Sequence, residues 1–443
     1  MNQDRVDFPN DLWYDKIRAI STNRKGKDKM TQNNEKTIKK KEDTTWVRRV
    51  TLYLASQTMT MFGSSLVQFA ISWYITLTTG SGWMLTLSTV FGFLPQLFVS
   101  PIAGVWADRY DRRKLIVFSD AAIAVSTAIL AALFLMGYES ITLLLVVSVV
   151  RSIGSGIQAP ATNALLTEIV PEDNLMRING IHSTLLSLIM LASPAAAGWL
   201  YAHYPLSMIF FIDVATAAIG IGILMMLRIK KRTRVETTNE NNVREEMMSG
   251  LKYVRDTRWL KQMFGFYVFF ALLIGPVVFL TPLMVARSFG QDPWFLQMHE
   301  IIFSLGSIVG GILIGVLSDR LGNKVRLMLY SCLAFGLTTL MMGFSKTFTV
   351  YLIIMFFMGT TMPFTNTSFM TVLQRKVDTQ MIGRVFGVAS IIGSTMMPLS
   401  MIIFGPLADF MAIEHQLIIT GALMVGMSLY GFRMKEAIVE GGA

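Results

Sequence analysis

One cysteine and four histidines among 443 residues leave little from which to build a metal centre or a disulfide framework. The cysteine, Cys332, lies within an apolar run and has no partner in the chain, so it reads as a small core residue. No phosphate-binding glycine loop, His/Cys metal spacing or nucleophile elbow occurs, which argues against an ATP-driven pump and against an enzyme, and no cofactor is implied. Charge is also scarce. Asp, Glu, Lys and Arg make up 15% of the chain against 53% hydrophobic residues. With a mean hydropathy of +0.51, that balance is incompatible with a soluble chain of this length and makes this a polytopic membrane protein. Acidic residues are the scarcer sign, leaving a net charge of +10, which membrane topology explains without any case for nucleic acid. No apolar segment of the secretory kind precedes Val50, so the first span is expected to act as the targeting signal.

What is present is a succession of long apolar runs. Twelve can be counted, at approximately 50–78, 82–107, 114–136, 141–165, 178–202, 206–228, 261–285, 297–318, 325–344, 349–372, 383–410 and 414–433. The expected fold is therefore all-α, with twelve transmembrane helices in two six-helix bundles, 46–228 and 261–436. Residues 1–45 read as a disordered basic tail, of which 1–29 has the character of a gene-model extension; a basic tail held near anionic lipid is the alternative. Residues 229–260 read as a linker carrying an amphipathic helix, with Val243, Met247, Leu251 and Val254 at helical spacing, and 437–443 as a short tail. Of the 39 Lys and Arg, Arg287 and Lys346 fall in loops on one side and Arg151 inside a run, while the rest lie on the other side. Both termini are accordingly expected in the cytoplasm of a multi-pass cell-membrane protein.

Charge concentrates in one short loop. Gly104-Val105-Trp106-Ala107-Asp108-Arg109-Tyr110-Asp111-Arg112-Arg113-Lys114 separates two spans, and Gly315-Val316-Leu317-Ser318-Asp319-Arg320-Leu321-Gly322-Asn323-Lys324 repeats it, with Gly322-Asn323 replacing Asp111-Arg112. Gly156-x-x-x-Pro160-x-Thr162-Asn163 likewise returns as Gly359-x-x-x-Pro363-x-Thr365-Asn366. Parallel repeats of this kind build secondary transporters whose substrate site lies between the halves. The loop resembles the signature of the major facilitator superfamily. Gly92-Phe93-Leu94-Pro95, Arg151-Ser152-Ile153-Gly154 and Gln158-Ala159-Pro160-Ala161-Thr162-Asn163-Ala164 are similar to the macrolide-efflux and siderophore-export branch of its drug:proton antiporters.

The resemblance implies a gate. Gly104, Asp108, Arg109, Arg112 and Arg113, with Gly315, Asp319, Arg320 and Lys324 as the second copy, would latch the cytoplasmic side against the eleventh span, which Gly383-Arg384 would open. Enforcement of topology by the basic residues is the plainer reading. Arg151, about ten residues into the fourth run, resembles the arginine to which proton coupling is attributed, and a mid-membrane arginine must face a partner or a cavity. Asp213, in the sixth run, could exchange a proton near neutral pH or serve structure. Glu168 and Glu300, near run ends, are further proton-carrier candidates that could titrate at a cavity mouth, as could His182 within the fifth run, with a solvated carboxylate and a satisfied core histidine as the plainer readings; Asp120 is expected to be anchored by Arg112, Arg113 or Lys114. Pro194 and Gly198 look like a degraded form of the antiporter motif of the fifth helix, with Ser193 and Ala197 in place of glycines. Gln57, Gln68, Trp73, Gln96, Gln158, Asn163 and Asn366, with Phe69, suit a roomy apolar cavity having sparse hydrogen bonds, although in a membrane protein such residues mostly face lipid or neighbouring helices. The function implied is export of an amphipathic drug-like compound by a monomer, driven by the proton gradient across a bacterial plasma membrane. A lipid or lysolipid flippase, a siderophore exporter and a non-transporting sensor are the alternatives.

Overall fold

In hydrocarbon every backbone N–H and C=O must find its partner within the protein, and the apolar runs achieve this as helices. The computed structural model describes residues 46–227, 240–317 and 322–440, and no strand forms among them. Helix α1 covers 46–79. It is followed by α2 (Gly82–Arg109), α3 (Arg112–Leu135), α4 (Ile141–Ile169), α5 (Leu175–His203) and α6 (Leu206–Met225). The linker helix α7 (Glu240–Asp256) leads into α8 (Arg258–Leu273) and α9 (Thr281–Ser288). Then come α10 (Pro293–Leu317), α11 (Lys324–Gly343), α12 (Phe348–Lys376), α13 (Ile382–Leu407), α14 (Ile413–Gly431) and the short α15 (Lys435–Glu440). Ten of the described helices are long and apolar enough to cross a membrane, with Arg258–Ser288 counted as one continuous stretch.

Local chemistry sets the helix ends. Asp111 accepts from Lys114 N at 3.2 Å and so caps α3; Asn323 accepts from Arg326 N at 3.0 Å and caps α11. The departure of the second loop from the first thus keeps a cap, and Asn323 Nδ2 also donates to the carbonyl of Ile438 at 2.6 Å. Between α8 and α9 the helix widens into a π turn at Pro276–Leu280. Pro276 and Pro282 each lack an N–H, so regular bonding cannot run through this stretch. Ser400 of α13 packs into the break, donating to the carbonyl of Leu272 at 2.6 Å.

The same packing scheme occurs twice. α4 lies against α2 and α3, and α3 against α6; correspondingly α12 lies against α10 and α11, and α11 against α14. Glycine permits the closest approach in both copies. A Cβ on Gly156 would sit 3.1 Å from the Gln96 backbone of α2, and one on Gly359 would sit 2.4 Å from the Phe303 carbonyl of α10.

Among the described residues, the two groups of helices meet most closely towards one end. α2 crosses α13 near Gly82 and Gly405, and α5 crosses α10 near Gly198 and Gln297. A large apolar core joins Leu66, Trp73, Leu85 and Ala197 of the first group to α8, α9 and α10 of the second. At the opposite end, where the charged loop lies, a Cβ on Gly104, Gly180, Gly383 or Gly387 would meet nothing within 4 Å.

The linker forms the helix that its spacing predicts. Of the apolar set on α7, Val254 is buried whereas Met247 and Leu251 are exposed, and the side chain of Val243 lies outside the described residues. Gly250 permits the close packing of α7 on the start of α13, since a Cβ there would lie 2.9 Å from the Arg384 carbonyl. The tail 1–45, the stretch 228–239 and the tail 441–443 lie outside the described residues.

Candidate functional site

An arginine in the middle of an apolar helix requires partners, and Arg151 has three. Its guanidinium donates to Asp213 Oδ2 of α6 at 2.5 Å, to Thr127 Oγ1 of α3 at 2.6 Å and to the carbonyl of Ser64 in α1 at 3.2 Å. Both charged side chains are nearly removed from solvent, with side-chain exposures of 9% and 1%. Arg151 and Asp213, named separately from the sequence, therefore form one ion pair that ties α4 to α6. Broken pairs of this kind are costly because the survivor is a buried, uncompensated charge.

The neighbouring carboxylates sort differently from expectation. Asp120 is not anchored by Arg112, Arg113 or Lys114: it lies two helical turns beyond them, out of their reach, and accepts instead from Gln158 Nε2 at 2.6 Å. Arg112 turns back to the carbonyls of Ala107 and Ala164 and pairs with Glu168 at 2.9 Å. Arg113 donates to the carbonyls of Leu227 and Met225. Glu168 thus closes an ion pair at the charged-loop end.

Asp108 is exposed, with Arg112 at 3.7 Å as an ion-pair partner, and among the described residues a Cβ on Gly104 would meet nothing within 4 Å. Arg109 is exposed at the same end. Gly315 and Lys324 flank the second loop, whose Asp319 and Arg320 lie outside the described residues.

The cavity candidates separate into three kinds. Trp73 is 1% exposed and packs with Phe69 at a ring distance of 5.8 Å, so it belongs to the core rather than to an open wall. Gln57 is also buried, and its Nε2 has no partner. Gln68, Asn163 and Asn366 are exposed, while Gln96 and Gln158 are half-buried. Pro194 and Gly198 are buried where α5 crosses α10: a Cβ on Gly198 would lie 2.7 Å from Gln297, whose Nε2 donates to the carbonyl of Ala195 at 2.8 Å.

Two further polar clusters were not foreseen. Asp409, just past α13, accepts from Gly82 N at 2.7 Å, Trp83 N at 2.9 Å and Ser81 Oγ at 2.9 Å, and so caps α2 from across the molecule. Arg287 completes the clamp, reaching Asp409 at 3.2 Å and the carbonyls of Gly80 and Ala408. Desolvation pushes the Asp409 carboxyl up, but the N–H groups of Trp83 and Gly82, the Ser81 hydroxyl and the Arg287 guanidinium together hold it below the usual carboxylate range. The second cluster joins His299 Nδ1 to the Tyr351 hydroxyl at 2.7 Å and His299 Nε2 to Thr281 Oγ1 at 3.4 Å, with Glu300 at 3.8 Å from the ring. His182 does not join a cluster; its Nε2 is buried without a partner.

The sequence profile of the Major Facilitator Superfamily matches residues 53–401. The chain is 28% identical over 387 residues to Macrolide efflux protein A of Streptococcus pyogenes, covering 87% of this chain and 95% of that one. It is 29% identical over 325 residues to Macrolide efflux protein A of Enterococcus faecalis, covering 73% of this chain and all of the relative. In three dimensions it is similar to a bacterial homologue of the iron transporter ferroportin in an inward-facing state, with a TM-score of 0.69, 14% identity, and coverage of 87% and 98% of the two chains. That likeness concerns the fold.

Proposed function

We propose that this chain, which belongs to the Major Facilitator Superfamily, is a proton-coupled antiporter that exports amphipathic compounds of the macrolide type across a bacterial plasma membrane. Export is carried by the likeness to Macrolide efflux protein A along most of both chains. The remaining elements of the reading are that α1 and α14 complete twelve spans in two six-helix halves, that both termini are cytoplasmic, and that the charged-loop end faces the cytoplasm. On this orientation the structure is open inward and sealed outward by the Arg287–Asp409 clamp and the crossing of α5 with α10.

Alternating access then requires the seal to open as the charged-loop end closes. Gly104 lets α2 approach α13, and Asp108 meets the positive amino end of that helix. Arg151 and Asp213 hold the charge through which the proton gradient acts, supported by their burial and direct pairing. The chain itself needs no cofactor, and its substrate enters the widened space between the halves.

A lipid or lysolipid flippase of the same fold is supported by one feature. A lateral cavity of about 630 Å³ between α1 and α5 is walled by Val50, Leu54 and Ile178 and carries Arg177 and Asn174 at its polar edge. Expression in a hypersusceptible bacterium separates these readings. Export predicts raised resistance to macrolides that a protonophore abolishes. Lysolipid uptake altered without any resistance would replace that conclusion with the flippase, siderophore release with the siderophore exporter, and ligand binding without flux in vesicles with a sensor.

A further inference from the structure

The charge cluster holds a carboxyl that the pairing of Arg151 with Asp213 leaves aside. Asp120 of α3 is 4% exposed. Its Oδ1 accepts from Gln158, and its Oδ2 is buried with no partner. Nearby cations are engaged elsewhere: Arg151 with Asp213, Arg112 with Glu168, and Arg113 with the carbonyls of Leu227 and Met225. The elements packed against α3 bring Arg151 and Glu168 on α4, Asp213 on α6, Asp108 and Arg109 at the end of α2, and Arg48 and Arg49 in the first turn of α1. Of these, Asp213 also keeps one carboxylate oxygen, Oδ1, buried without a partner. Arg151 pairs with Asp213 and not with Asp120, so an ionised Asp120 would be a buried charge without a cationic partner.

We propose that Asp120 holds the exchanged proton and that Gln158 links it to the substrate, a proposal that rests on the antiport reading above. The chemistry is that of a single amide. With Asp120 ionised, the Gln158 Nε2–H group donates to the carboxylate, as in the structure, and leaves Oε1 as an acceptor for a hydroxyl or ammonium donor of the substrate. With Asp120 protonated, its O–H donates to Oε1 once the amide turns over, and the substrate loses that acceptor. Proton and substrate therefore compete for one oxygen, and each substrate bound releases one proton from Asp120 to solvent. Gln158 is half-buried while Asp120 is buried, the order such a relay needs.

The second half of the molecule lacks this device. Ser331 lies as far beyond Asp319 as Asp120 lies beyond Asp108, and it shares a hydrogen bond with Thr365 at 2.9 Å. Ser331 thus stands in the place of the acid and, in the register that sets Gly359–Asn366 on Gly156–Asn163, Thr361 stands in the place of the amide, and neither hydroxyl exchanges a proton near neutral pH.

The test is erythromycin binding to the purified full chain from about pH 6 to about pH 8, with proton release followed in weak buffer. In the native protein, affinity rises with pH by up to about tenfold per unit while a proton is released on binding. Asp120→Asn is expected to bind with no pH dependence and no proton release, and Asp120→Glu to restore both with a shifted midpoint. Native pH dependence and proton release in Asp120→Asn overturn the assignment and leave antiport standing. Binding to the native chain with no proton release at any pH overturns antiport, and the assignment with it. If Asp120→Asn does not fold, Asp120→Glu and Gln158→Leu carry the test: Asp120→Glu must move the midpoint and Gln158→Leu, which removes the shared oxygen, must bind without pH dependence, and failure of either overturns the proposal.

Discussion

At the scale of single residues, the buried pair Arg151–Asp213 makes a prediction about stability as well as transport. Removing either partner leaves a buried unpaired charge, which costs about 3–5 kcal/mol. Arg151→Ala and Asp213→Asn are each expected to lower the melting temperature in detergent and to abolish proton-driven transport. The double variant should lose less stability than the two single losses together, because it leaves no orphaned charge. Strictly additive losses would show that the two side chains do not act as a pair. Both residues were legible in the sequence as charges inside apolar runs, since nothing else explains a guanidinium at that depth. Their pairing was not legible, because it depends on how α4 and α6 rotate against each other. Asp120 illustrates the same limit. Sequence proximity suggested Arg112 or Arg113, but helix geometry places it two turns away, beside a glutamine from α4.

At the scale of helices, small residues decide where the two halves touch. A Cβ on Gly405 would lie 1.7 Å from the Thr86 hydroxyl, and one on Gly82 would lie 2.2 Å from the Gly405 carbonyl. Gly405→Leu should therefore force α2 and α13 apart at the sealed end and lengthen the distance between spin labels placed there; an unchanged distance would mean that this crossing does not hold the seal. Asp409 adds a pH dependence whose sign follows from its lowered value. A carboxyl held low by the clamp stabilises the sealed end above the ordinary aspartate value of about 3.9 and loses that contribution as pH falls below it. The label distance should stay flat from about pH 7 to about pH 4 and lengthen below, whereas in Asp409→Asn it should be long throughout. Lengthening of the native distance near neutral pH would contradict this. The helices themselves, including α7 in the linker, were legible from apolar spacing and from caps such as Asp111. The clamp was not, because Asp409 reaches Ser81 across 328 residues and no local pattern announces such a contact.

At the scale of the whole molecule, the described helices of the two halves cross at one end, and the charged loop stands at the other. The duplicated loop was plain in the sequence, as was its place between spans. Its state was not, since the same residues serve an open and a closed arrangement. On the present account Asp108 and Gly104 act when that end closes. Asp108→Asn, which removes charge at constant size, and Gly104→Leu, which blocks approach at constant charge, should each depopulate the state closed at the charged-loop end. Labels on α2 and α13 at that end would then report a distribution shifted to longer distances than in the native chain. If neither variant shifts the distribution while transport is lost, the loop acts through something other than gating.

The central claim is that a proton gradient drives export through this chain, and reconstitution into vesicles addresses it most directly. The purified protein, in vesicles whose interior is acidified relative to the bath, should accumulate radiolabelled erythromycin against its gradient when oriented with the charged-loop end outward. Dissipating the pH gradient should abolish the accumulation, and Arg151→Ala should not support it. Erythromycin accumulation that persists with the proton gradient collapsed, or a native chain that moves no erythromycin under a full gradient, would contradict the account.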